Sequence, residues 1–146
     1  MRHSILAIAA CAAMALVGTA TADEVWTTEI GDVIYETDLP NGQAVWSYPL
    51  EDSDWRGRVF LPGLAGQYQD RASYSGYWIE PGASAGEAAC EVELRDPETE
   101  GTSDVWGRVM LIFVDDSTWV AMRSQCFDDP DEEMLVGRLK VVEGAE

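Results

Sequence analysis

From Val25 to Val142 the chain is a succession of short runs rich in β-branched and aromatic residues, each ended by Gly, Pro, Asn or Asp. Helical periodicity is hard to find over the same stretch. Such runs, with turn residues at intervals of roughly 8–12, fit an antiparallel barrel or sandwich. The expected strands cover residues 25–30, 33–36, 43–48, 56–61, 72–80, 89–95, 106–115, 119–124 and 135–142. The expectation is therefore an all-β antiparallel meander of eight or nine strands. Leu39-Pro40-Asn41-Gly42 is a turn, because Asn-Gly tolerates positive φ. Helices have room only in residues 61–69 and 81–89, both short and Gly-rich.

Side-chain alternation assigns faces within these runs. Ala44, Trp46 and Tyr48 share one face. In 89–95, Cys90, Val92 and Leu94 face one way and Glu91, Glu93 and Arg95 the other. Residues 106–115 are apolar on both faces: Val109, Leu111 and Phe113 oppose Met110, Ile112 and Val114. A strand of that kind should be covered on both sides. The last strand has an inward set of Leu135, Gly137, Leu139 and Val141. A Gly-Arg-aliphatic core recurs near three strand starts, at Gly57-Arg58-Val59, Gly107-Arg108-Val109 and Gly137-Arg138-Leu139. Glycine there relieves barrel corners, and the outward arginines have many acids to pair with.

The chain opens with Met1-Arg2-His3, an apolar run from Ile5 to Gly18, and Ala20-Thr21-Ala22 before Asp23 and Glu24. That order of positive charge, apolar stretch and small-residue exit is a cleavable secretory signal over residues 1–22. The run is shorter than the roughly 20 residues a membrane span needs. A lipobox-like reading of Ile8-Ala9-Ala10-Cys11 fails because the apolar run continues past Cys11 to Val17. Residues 23–146 are then one β domain, exported to the periplasm or beyond, expected to be a monomer and not membrane-inserted. Removing the signal takes away the sole histidine, His3, and leaves Cys90 and Cys126. Two cysteines in an exported chain make one disulfide most simply.

The chain has a formal net charge of −18, with 27 acids against 9 basic residues. Nucleic-acid binding depends on Lys and Arg neutralising phosphates, so it is excluded as a function class. Anionic membrane surfaces are excluded on the same ground. High solubility, cations and basic partners are compatible with such a charge.

Without a histidine, residues 23–146 have no Ser-His-Asp or Cys-His nucleophile and no His-ligated metal. No Gly-rich phosphate loop is present. Lys140, the sole lysine, sits outward on the final strand. Paired carboxylates remain chemically possible, with Glu80, Glu91 and Glu93 flanking the Trp-rich strands as candidates. The acidic run Asp128, Asp129, Asp131 offers oxygen ligands for Ca²⁺ without EF-hand spacing. Asp115 and Asp116 would join it if the loops meet. No cofactor is expected beyond that cation.

Tyr74-x-Gly76-x-Trp78, followed by Trp106 and Trp119 on later strands, resembles the meander rhythm of calycin-like barrels over about residues 43–142. That group includes lipocalins, avidins and secreted bacterial protease-inhibitor barrels. The resemblance implies an up-and-down barrel with a ligand in its mouth or a segment offered to a protease. The Gly-x-Trp of lipocalins lies on the first barrel strand, whereas here it lies well into the chain, so no ligand contacts transfer.

The leading expectation is a binding or interaction module without catalytic activity, acting on an unidentified protein or small molecule. A small-ligand carrier would use an aromatic pocket drawn from Trp46, Trp78, Trp106 and Trp119. Arg123 shares a strand face with Trp119; if that face is inward, Arg123 needs an anion or an acid beside it. The carrier reading predicts a Trp-ringed cavity. A protein-binding module predicts a filled core with an exposed apolar patch, and a hydrolase predicts converging acids.

Overall fold

The computed structural model describes residues 24–82, 89–131 and 133–140. The expected signal, residues 1–22, lies outside them. So do Val141 and Val142 and residues 83–88 of the second candidate helix. Ten strands form: β1 (Val25–Thr28), β2 (Gly31–Asp38), β3 (Gln43–Pro49), β4 (Arg56–Pro62), β5 (Ser73–Ile79), β6 (Leu94–Arg95), β7 (Thr102–Ser103), β8 (Trp106–Asp115), β9 (Thr118–Arg123) and β10 (Glu133–Leu139). Eight of them close an antiparallel barrel in the order β1-β10-β9-β8-β5-β4-β3-β2, while β6 and β7 pair separately. The architecture is compatible with a calycin-like barrel. No helix is present among the described residues; 61–62 end β4, and 63–69 form a turn-rich loop that inserts Leu64 into the core.

The inner wall follows the period-2 alternation of each strand. Trp26, Tyr35, Trp46, Leu61, Trp78, Leu111, Phe113 and Trp119 form one buried cluster. Trp26 and Trp46 stack at 6.0 Å between ring centroids, and Phe113 meets Trp26 edge-on. Bulges between Tyr35 and Thr37 in β2 and between Phe113 and Asp115 in β8 bend the strands at one end.

Arg71, in the loop between β4 and β5, closes that end. Its side chain is 1 % exposed, its Nη1 donates to Glu24 Oε2 at 2.8 Å, and its guanidinium lies 4.3 Å from the Phe113 ring centroid and 5.5 Å from that of Trp26. The guanidinium thus carries its counter-ion and two aromatic faces into the barrel floor.

The Gly-Arg-aliphatic echo has a structural cause. Gly57 pairs with Tyr48, Gly107 with Trp78 and Gly137 with Trp119. Each aromatic ring lies across its glycine so closely that a Cβ there would collide with it. Gly76 is required for another reason: a side chain on it would strike the Phe60 carbonyl of β4.

Between β5 and β8, residues 80–82 and 89–105 lie outside the barrel wall, the latter running across its outer face. They cover a second apolar cluster made of the outward side chains Val45, Phe60, Ile79 and Trp106, with Cys90 and Leu94. The Cys90–Cys126 disulfide, with Cα atoms 5.6 Å apart, ties this excursion to the loop after β9. Arg58 of β4 holds its other end through ion pairs to Asp96 and Glu98. The continuous strand expected over 89–95 is corrected by this arrangement: only Leu94–Arg95 pairs, with Thr102–Ser103. Cys90 is held by the disulfide and by its N–H donating to Asp104 O, and Val92 is exposed.

The expectation that both faces of β8 are covered also fails. Met110, Ile112 and Val114 face outward with no further layer over them among the described residues. Cross-strand rows shield them in part, Met110 beside Met122 and Met134, and Ile112 beside Val120 and Val136. Val114 stays 64 % exposed.

Candidate ligand cavity

At the end opposite Arg71 the barrel is hollow. A cavity of about 440 Å³ opens between the β1–β2 turn, the ends of β3, β5 and β9, and the starts of β4, β8 and β10. Its size lies within the range of small-molecule sites. Trp46, Trp78, Trp119, Val59, Leu111 and Leu135 supply most of its wall. Two devices keep it open. The rings of Tyr48, Trp78 and Trp119 lie along the wall over glycines, and the Trp26–Trp46–Phe113 cluster ends the lumen partway down.

The polar groups gather at the mouth. Tyr48 Oη donates to Glu80 Oε1 at 2.9 Å. Arg123 Nη1 lies 3.5 Å from the same oxygen, and its guanidinium is 5.0 Å from the Trp78 ring centroid. Trp78 Nε1 donates to Ser124 O at 2.8 Å, which fixes that indole. Burial, then the neighbouring Glu80 carboxylate, holds the Tyr48 hydroxyl well above its ordinary titration range. Deeper in, the indole N–H groups of Trp26, Trp46 and Trp119 are buried without a hydrogen-bond acceptor. Unsatisfied buried donors are costly, and four side-chain atoms of this kind among the described residues include these three.

Of the residues singled out from sequence, Trp46, Trp78, Trp119 and Arg123 line the cavity. Trp106 does not. It stands on the outer face under the excursion, donating from Nε1 to Val92 O at 2.7 Å, with Phe127 edge-on at 4.8 Å. Arg123 is 40 % exposed at the mouth, with an acid beside it, and so is not a buried charge. Glu80 reaches the mouth, but Glu91 and Glu93 are exposed on the excursion, where Glu93 accepts from Thr102. The three candidate carboxylates therefore do not converge.

Asp128, Asp129 and Asp131 follow β9, and Asp129 turns to Arg108 at 3.1 Å. Asp115 and Asp116 lie at the other end of β9, so the two acidic loops do not meet. Among the described residues no three Asp, Glu, Cys or His side chains form a group able to hold a metal.

Sequence reasoning missed Glu29, Ile30 and Met134, which line the cavity rim. Ile30 and Met134 are 48 % and 68 % exposed. Their only sequence signal is an apolar residue where a turn or an outward strand position calls for a polar one. No helix among the described residues is long and apolar enough to cross a membrane, and the disulfide is compatible with an exported protein. No family model matches this chain, nor does any curated protein or solved structure.

Proposed function

We propose that this protein is an exported, non-enzymatic binding module whose barrel holds a small, mainly apolar molecule. The observation that carries the reading is the 440 Å³ cavity walled by Trp46, Trp78 and Trp119 and closed below by the aromatic cluster. Apolar walls with a few polar groups at one edge are the usual makeup of small-molecule sites. Export is supported by the composition of residues 1–22 and by the Cys90–Cys126 disulfide.

The test is a titration with 1-aminoanthracene, a compact neutral aromatic, followed by tryptophan quenching and probe emission. Saturable binding that weakens at least tenfold in Trp78→Ala is expected. Absence of saturable binding overturns the reading. Native mass spectrometry of protein from its producing cells would show a retained ligand directly.

A second reading is favoured by the outer rows Met110–Met122–Met134 and Ile112–Val120–Val136. An uncovered apolar sheet face of this kind suits contact with another protein. Ile112→Lys with Val120→Lys would abolish such contact and leave probe binding in the cavity intact.

A further inference from the structure

The barrel is not equally closed all round. Strands β3 and β4 share seven register pairs, from Gln43↔Pro62 to Pro49↔Arg56. Among the described residues, strands β1 and β10 share two, Trp26↔Leu139 and Thr27↔Arg138. Toward the mouth the two strands part. On β10, Lys140 N donates to Val25 O and Leu139 N to Ser117 O of the β9 side. By alternation, the backbone groups of Met134 and Val136 point into the opening between β1 and β10.

This seam joins two hollows. The cavity and a groove on the outer wall share Glu29 and Met134 as lining residues. Beside the exposed Glu29, the rim between them is made of accessible apolar side chains: Ile30 is 48 %, Met134 68 % and Val136 39 % accessible. The groove beyond it carries Thr27, Thr28 and Arg138. Arg58, Arg71, Arg95, Arg108 and Arg123 each have a carboxylate partner. Arg138 is exposed and has none among the described residues. An apolar chamber, an apolar threshold and a cationic, hydroxyl-bearing exterior follow one another within a short path.

We infer that the ligand is a single-chain amphiphile lying across the β1–β10 seam. Its hydrocarbon end fills the cavity, its chain crosses between Ile30 and Met134, and its anionic head rests outside on Arg138 and the Thr27 hydroxyl. The inference rests on the cavity reading above and adds the ligand class and the route. Arg138 supplies charge-assisted donors that match a carboxylate, and Arg123 keeps Glu80 at the mouth.

Dodecanoate, below its critical micelle concentration, is the probe for the seam, read by tryptophan quenching and stopped-flow. Continuing the register puts Glu29 opposite Val136, so oxidising a cysteine pair there would draw the parted strand ends together and clamp the opening. Oxidised Glu29→Cys/Val136→Cys is expected to slow dodecanoate association at least tenfold relative to Glu29→Ser/Val136→Ser, which lacks the same side chains without the bridge. Arg138→Gln, at an exposed position that does not threaten folding, is expected to weaken dodecanoate about tenfold. Undiminished association in the bridged variant, or undiminished affinity in Arg138→Gln, overturns the inference. A parent that takes up 1-aminoanthracene while dodecanoate ignores both changes keeps the cavity and loses the seam. A parent that binds neither probe loses both.

Discussion

Trp119 lies across Gly137, its register partner on the neighbouring strand, with so little clearance that a methyl group on Gly137 would overlap the indole. Aromatic packing over a strand glycine restores the contact that the missing side chain forgoes. Gly137→Ala is expected to force the indole off the wall and to cost about 1–3 kcal/mol. Urea unfolding measures the loss, and 1-aminoanthracene binding falls with it, because the displaced ring enters the cavity.

The Arg71–Glu24 pair is the buried ion pair of the barrel floor, with side chains 1 % and 21 % exposed. Arg71→Ala strands Glu24 and uncovers Phe113 and Trp26, so it should cost about 3–5 kcal/mol. Breaking the exposed Arg95–Glu100 pair, at 66 % and 75 %, should leave stability almost unchanged. Parallel denaturation of the two variants checks the contrast.

Tyr35 and Tyr48 both titrate well above their ordinary value of 10.0, chiefly through burial, with Asp38 and Glu80 respectively as their nearest acids. A raised folded value means that the protonated tyrosine is favoured by folding. The unfolded chain loses those protons first as pH passes 10, so stability is full below pH 10 and falls above it. Each tyrosine contributes a slope of about 1.4 kcal/mol per pH unit in that range. Urea midpoints between pH 9 and 11 should show the decline, and it should flatten in Tyr48→Phe.

Removing the disulfide opens a loop whose ends are 36 residues apart. The chain-entropy relation gives a loss of roughly 3–4 kcal/mol for Cys90→Ser/Cys126→Ser. The barrel core has its own apolar cluster, so the variant should fold. Its amide exchange should rise mainly in residues 89–105, and exchange in β3 and β4 should change little.

Period-2 alternation and turn residues were enough to read the barrel strands, and export logic was enough to pair Cys90 with Cys126. Alternation also grouped Trp46 with Tyr48. It states which residues share a face, however, not which face becomes the inside. Trp106 shares its parity with Met110 and points outward; it is buried because the excursion returns over it, a long-range event with no local signature. The same event makes a loop of residues 89–93 despite their alternation. The cavity was legible only as a list of aromatics. Whether such rings fill a lumen or line it depends on which residue stands opposite, and that required the register. The echo Gly57, Gly107 and Gly137 was the visible trace of it.

The two register pairs at the β1–β10 seam among the described residues bear on how this ring comes apart. A closed sheet cannot lose one strand without breaking two junctions, and the cheapest break is where fewest backbone bonds hold. Opening at the seam turns the cylinder into a flat eight-strand ribbon with β1 and β10 as its margins, while β3, β4, β5 and β8 stay clasped beneath the disulfide-anchored excursion. Partial unfolding of this protein is thus an unrolling from the seam, with the β1–β2 hairpin as the first part to swing free.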